Sequence, residues 1–301
     1  MPQSESSIQE ASTKEHKNTV LLIGDAMSDI FMPVGKMKQV RPLTYHAGKP
    51  EYHPGGASNT AQLLESLEVP TVCVYSRDYP KSDPIPIKLY LITTSDNAIL
   101  LRLDRNDHSR PLDHAQLATQ LLKFNDVVVS DYNKGTIDDK AIDLINILAM
   151  RLFVDTKRDP YSWRKDATFF PNETEFQKYR DHYLKLPRVA HKQGVRGARF
   201  LSYGTVKAEV EAPTIASYYV CQPHTIGAGD AFLAGWVRAT VAENLTSDRD
   251  RLEFAVVTAS LSCTYPYTQG APLSQIKKYI EGGSRDLLFC EPLGTKNESR
   301  T

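Results

Sequence analysis

The chain reads as an α/β protein: a central, mostly parallel sheet flanked by helices, with a small β-sheet lid over one edge. Three observations predict this. Apolar runs of strand length alternate with helical patterns along most of the 301 residues. These runs end in Asp, Ser, Gly or Lys and then turn into helices, as at Gly24-Asp25, Ser130-Asp131 and Asp155-Thr156-Lys157. Residues 87–103 break the alternation with β-branched and aromatic sequence around a turn at Ser95-Asp96-Asn97.

In chain order, residues 19–23 form a short apolar run that suits a buried first strand. Gly55-Gly56 opens a helix in which Ala57, Ala61, Leu64 and Leu67 share one face. Residues 72–75 read as the next strand, residues 117–124 as the end of a helix, and residues 126–131 as a buried strand leading to a polar loop. A helix over residues 138–150 and a strand over residues 151–155 follow. Residues 188–223 are richer in strands, and an apolar helical run covers residues 231–242. Residues 32–52 and 87–103 are the expected lid. Residues 1–18 are expected to be a disordered tail and residues 294–301 a polar tail, on either side of one domain, residues 19–293.

Lys+Arg and Asp+Glu both number 36, so the formal charge is zero, which gives no support for nucleic-acid or anionic-membrane binding. No apolar run approaches a membrane span, and the N-terminal stretch lacks a secretory h-region, so a cytoplasmic protein is expected. Cys73, Cys221, Cys263 and Cys290 form no CxxC pair and read as free thiols.

The densest chemistry lies in His224-Thr225-Ile226-Gly227-Ala228-Gly229-Asp230. A helix N-terminus presents unpaired N–H groups and a positive dipole end, so it seats a phosphate, and glycines let the anion approach. Asp230 then stands where it can take a proton from an attacking hydroxyl. The alternative is a Gly-rich turn with Asp as an ordinary cap. Parallel sheets bind ligands at the strand carboxyl ends, so Asp25, Asp29, Asp131, Asp155 and Asp230 are expected to converge there; solvated loop acids are the alternative.

Residues 225–230, together with Gly55-Gly56-Ala57-Ser58-Asn59-Thr60-Ala61, resemble the two signatures of ribokinase-like (PfkB) carbohydrate kinases. Within that family the chain is most similar to the heptose-7-phosphate kinase domain of ADP-heptose synthesis. Residues 24–29, Arg102-Leu103-Asp104, residues 130–135, and Asp155-Thr156-Lys157 with residues 171–176 carry that likeness.

The resemblance implies a Rossmann-like ribokinase fold and ATP-dependent phosphorylation of a sugar phosphate. It implies Asp230 as base, with Gly227, Ala228 and Gly229 as anion hole. Asp29, Gly55, Gly56 and Asn59 would hold sugar hydroxyls; Lys88, Arg102 and Lys134 would meet a substrate phosphate. Lys157, Asn172, Lys192, Gly194, Gly197 and Thr225 would serve the nucleotide. Asn172 and Glu175 would organise Mg²⁺ through water, and the same two residues also fit a helix capping box. A homodimer through the lid is implied as well.

The chain departs from the family pattern at named places. His224 stands where the family has Asp, which leaves a monovalent cation open. Lys192 stands where Thr is expected, and Val256 where an amide is usual. Ala98 and Ile99 replace paired glutamines. Residues 76–86 cross directly to the lid where another helix is expected, which would leave part of a sheet face uncovered. These departures set two other readings beside the heptose kinase: a kinase for another sugar or nucleoside, and a ribokinase-fold binder without catalysis.

Overall fold

The computed structural model describes residues 18–35, 47–75, 85–94, 98–105, 108–213 and 225–282. Its strands, in chain order, are β1 (Val20–Gly24), β2 (Ala26–Val34), β3 (Glu51–Gly56), β4 (Thr71–Tyr75), β5 (Ile87–Thr93), β6 (Ile99–Arg105), β7 (Asp126–Asp131), β8 (Arg151–Thr156), β9 (Thr168–Phe169), β10 (Val189–Lys192), β11 (Ala198–Ser202) and β12 (Thr205–Val210). The helices are α1 (Ala57–Ser66), α2 (His114–Leu121), α3 (Asp139–Leu148), α4 (Glu173–Lys178), α5 (Arg180–Tyr183), α6 (Ala228–Val241), α7 (Asp248–Ser262) and α8 (Leu273–Gly282).

The large sheet runs β12-β11-β10-β9-β8-β7-β1-β4. It is parallel from β4 through β10 and antiparallel at β11 and β12. Strands buried on both faces need apolar side chains on both, and β1 shows the division. Val20 and Leu22 join a core made with α1, α6, α7 and α8. Leu21 and Ile23 join the opposite core, made with α2, α3, α4 and α5. Trp236 of α6 is fully buried, its ring centroid 5.4 Å from that of Phe200 and 5.8 Å from that of Phe170. The helices start on residues that satisfy their free N–H groups: Asp113, Asp138 and Ser247 each accept from the first turn of α2, α3 and α7.

The second sheet runs β3-β2-β5-β6, with β2 and β5 parallel and the outer pairs antiparallel. Its extent differs from the sequence reading. β2 begins at Ala26, one residue after the large sheet ends, β3 continues to Gly56, and β6 reaches Arg105. No turn signal separates β1 from β2. The chain changes sheets at Asp25, whose N–H donates to the Ser130 carbonyl and whose carbonyl accepts from Ala57. The helix read as residues 138–150 is shorter, Asp139–Leu148, and the one ending near Phe124 stops at Leu121.

Several expectations fall outside the described residues: both tails, His224, Cys221, Cys290, residues 36–46 of the lid, and residues 76–84, where a helix is missing from the sequence pattern. β4, just before that segment, ends the large sheet, with Val74 buried and Cys73 exposed.

Candidate active site

A cleft of about 1420 Å³ opens between the small sheet and the carboxyl ends of the large one. At its centre is the start of α6. Gly227, at φ 81°, turns the chain into the helix in the left-handed region where a side chain is strained. A Cβ there would also lie 2.9 Å from the Asn59 amide nitrogen. Asp230 follows in the first turn and is buried. Asn59 donates to its Oδ2 at 2.7 Å, and the Tyr132 hydroxyl donates to its Oδ1 at 2.8 Å. Burial raises the Asp230 pKa, and the two hydrogen bonds oppose that rise. A carboxylate poised upward in this way is a stronger proton acceptor.

Toward the small sheet, Asp29 on β2 pairs in register with Lys88 on β5. Gly55, on the neighbouring β3, lies against Asp29, and a Cβ there would be 2.4 Å from Asp29 Oδ1, so only glycine leaves room. That Oδ1 is buried with no hydrogen-bond partner among the described residues. Burial pushes the Asp29 pKa up to about 6, against the pull of Lys88. Burial lowers the Lys88 pKa, and its ammonium lies 4.5 Å from the centroid of the Tyr132 ring. Arg102, on β6, donates to Asp104 at 2.7 and 2.6 Å and lies 5.8 Å from the Tyr90 ring centroid. Lys134 closes this end.

Toward the other end, Asp155 and Lys157 stand at the carboxyl end of β8. The Lys157 ammonium donates to Glu175 Oε1. Burial acts to lower the Lys157 pKa, but Asp155 and Glu175 outweigh it and the net shift is upward. Asn172 caps α4: its side chain accepts from the Glu175 N–H at 2.9 Å, while Glu175 accepts from the Asn172 N–H at 2.9 Å. Lys192, the last residue of β10, donates to Asp155 Oδ2 at 2.5 Å. Gly194, Gly197, Thr225, Val256, Ala259, Ser260 and Cys263 complete this wall.

The structure thus brings together Asp230, Gly227, Ala228, Gly229, Asp29, Gly56, Lys88, Arg102, Lys134, Lys157, Asn172, Glu175, Lys192, Gly194, Gly197 and Thr225 around one cleft. Gly55 and Asn59 stand behind it, supporting Asp29 and Asp230. Two of the strand-end acids expected there do not reach it. The Asp25 carboxylate accepts from the backbone N–H groups of Tyr132, Lys134 and Thr136, and so holds the loop after β7. Asp131 accepts from Thr156, Arg158 and the Asn133 N–H. Both act as structural acceptors for groups that would otherwise be buried without partners.

Sequence reasoning assigned no site role to Tyr132 or Cys263. Tyr132 stands inside the loop that carried the resemblance, but its bond to Asp230 spans 98 positions and leaves no local pattern.

The architecture defines a class: a doubly flanked α/β sheet under a β lid, with a glycine-led helix N-terminus and a buried acid at its ligand edge, is the ribokinase fold. Solved structures agree on the fold. A ribokinase from Thermotoga maritima superposes with TM-score 0.67 at 14% identity, covering 88% of this chain and 99% of that one. The Arabidopsis thaliana ribokinase complexed with ribose and ATP gives 0.64 at 16% identity, covering 91% and 99%. The model of the pfkB family carbohydrate kinases matches residues 164–275. A curated relative, Bifunctional protein HldE of Histophilus somni, is 25% identical over 197 residues; the match covers 55% of this chain and 41% of the relative, so it spans less than half of that protein's length. The chain is thus similar to the pfkB family carbohydrate kinases over residues 164–275 and has the fold of the ribokinases.

Proposed function

We propose that the protein transfers the γ-phosphoryl group of ATP to a hydroxyl of a sugar phosphate, with a heptose 7-phosphate as the leading acceptor. The observation that carries this reading is Asp230: a buried carboxylate in the first turn of α6, held by Asn59 and Tyr132 and open to the cleft. The acceptor hydroxyl bonds to the γ-phosphorus as the bond to the bridging oxygen breaks. The electron pair leaves with ADP, and the hydroxyl proton passes to Asp230. The N-terminal turn of α6, entered through Gly227, Ala228 and Gly229, faces the charge that builds on the phosphoryl oxygens.

Asp29 accepts from sugar hydroxyls through its unpartnered oxygen, while Lys88, Arg102 and Lys134 meet the acceptor's own phosphate. Three cations around one small-sheet subsite suit an anionic sugar better than a neutral one. The heptose choice rests on the four motifs resembling the heptose-7-phosphate kinase domain and on the likeness to HldE.

For magnesium, the donor chemistry fits one mode. Among the described residues no group of three or more His, Cys, Asp or Glu converges as a metal cage. Glu175 is already engaged by Lys157 and by both Asn172 nitrogens. Asn172 and Glu175 therefore suit only an ion that arrives on the nucleotide phosphates and keeps its water between itself and them. Bound there, Mg²⁺ would neutralise phosphate charge. The outer strand β6 carries Ile99, Leu100, Leu101 and Leu103, each about half exposed, an edge suited to pairing with the lid of a second copy.

A second reading, a binder without catalysis, is favoured by Val256, which puts an apolar side chain on the nucleotide-end wall. One experiment separates the two: Mg-ATP phosphoryl transfer to a panel of sugar phosphates, heptose 7-phosphate included, with Asp230→Asn in parallel. The kinase reading expects transfer to one acceptor and a loss of about 10²–10⁴ in kcat in the variant. ATP binding with no transfer to any acceptor would establish the binder.

A further inference from the structure

Lys192 occupies an unfavourable place. A Cβ on Gly229 would lie 3.5 Å from its ammonium, so the charge stands over the first turn of α6. The N-terminal turn of a 14-residue helix is electropositive, and a cation is disfavoured there unless an anion lies between them. The Lys192 side chain is only 11% exposed, so water screens it little. Its hydrogen-bond partner among the described residues is the Asp155 carboxylate, at 2.5 Å. The neighbouring lysine differs. Lys157 is bound to Glu175, which Asn172 also holds on both oxygens, so that group is fixed in a closed set. Lys192 has one partner and faces the cleft floor formed by Gly227, Ala228 and Gly229.

We infer that Lys192 is a catalytic residue that leaves Asp155 to bind the γ-phosphoryl group of a nucleoside triphosphate. This rests on the kinase reading above and deepens it. A phosphoryl group at the start of α6 places an anion between the ammonium and the helix N-terminus, where Asp155 does not stand. Lys192 then donates a charge-assisted hydrogen bond to a γ-oxygen and keeps its proton throughout. The proton of the acceptor still passes to Asp230, and the leaving electron pair still goes to the diphosphate. A neutral threonine, the residue the family pattern expects here, brings no such charge. The added cation is therefore a property of this chain.

The test reads binding rather than turnover. Calorimetry on the full chain with magnesium is expected to show ATP bound at least about tenfold more tightly than ADP, the scale of one charge-assisted hydrogen bond. Lys192→Met should abolish that preference while ADP affinity stays within about twofold, and Lys192→Arg should restore part of it. A purely structural lysine would move ATP and ADP together. Because Lys192→Met leaves Asp155 without its countercharge, the double variant Lys192→Met/Asp155→Asn controls for folding and should show the same lost preference. A wild-type protein that does not prefer ATP, or a Lys192→Met variant that keeps the preference, overturns the inference. The kinase reading fails separately, if Asp230→Asn turns over as the wild type does.

Discussion

Replacing Asp29 with asparagine should make the wild-type protein's stability deficit at high pH disappear. Asp29 is 3% exposed, and its pKa rises from 3.8 to about 6 on folding, mainly through burial. The folded state therefore holds the Asp29 proton more tightly than the unfolded chain does. As pH rises through the folded pKa, that proton is lost and the folded state forfeits the advantage. The full difference amounts to about 3 kcal/mol, and between pH 5 and pH 8 the part that titrates is about 1.4 kcal/mol. The side-chain amide of the variant has no proton to lose in this range. Urea unfolding at both pH values should show the wild type losing about 1.4 kcal/mol relative to Asp29→Asn on going to pH 8, a midpoint change of roughly 0.5–1 M. The ionised carboxylate is the stronger acceptor from sugar hydroxyls, so wild-type kcat/KM for the acceptor should fall below about pH 6. A stability difference independent of pH would show that Asp29 titrates normally and that its buried oxygen is satisfied in solution.

Tyr132→Phe removes one of the two hydrogen bonds that hold the Asp230 pKa down. The acid limb of kcat should move to higher pH, with kcat at its plateau within about tenfold of wild type; an unmoved limb would detach Tyr132 from the base. Arg102→Ala should raise KM for a phosphorylated acceptor by about tenfold or more while leaving KM for the unphosphorylated sugar unchanged, as a steady-state comparison of the two acceptors would show.

Much of the molecule was legible because its signals are local. The alternation that predicted β1, β7 and β8 follows from burial on both faces, which forces continuous apolar runs. The glycines before Asp230 mark a turn that only a residue free of a Cβ enters easily. The strand-end acids were legible as a set but not individually. Asp25 and Asp155 both follow apolar runs, yet one carboxylate binds three backbone N–H groups from residues 132–136 while the other faces the cleft. An aspartate is equally suited to both tasks, and only the register of β1 against β7 sends Asp25 to the loop. The start of the lid was hidden for a related reason. The chain passes from one sheet to the other at a single residue, and the hydrogen bonds that allow it come from Ser130 and Ala57, remote in sequence or across the next strand.

The charge arrangement in the cleft singles out Asp230 more firmly than the motif does. Five carboxylates line it: Asp29, Asp155, Glu173, Glu175 and Asp230. Asp155 has Lys192, Glu173 has Arg196, Glu175 has Lys157, and Asp29 has Lys88 opposite in register. Asp230 is held by neutral hydrogen-bond donors and by no cation among the described residues, its donors being an amide and a phenol. An ammonium in hydrogen-bond contact would favour the ionised form so strongly that the carboxylate would take up a proton reluctantly. Neutral donors orient the same carboxylate and lower its pKa less than burial raises it. A proton acceptor needs orientation without neutralisation, and among these five acids only Asp230 has it.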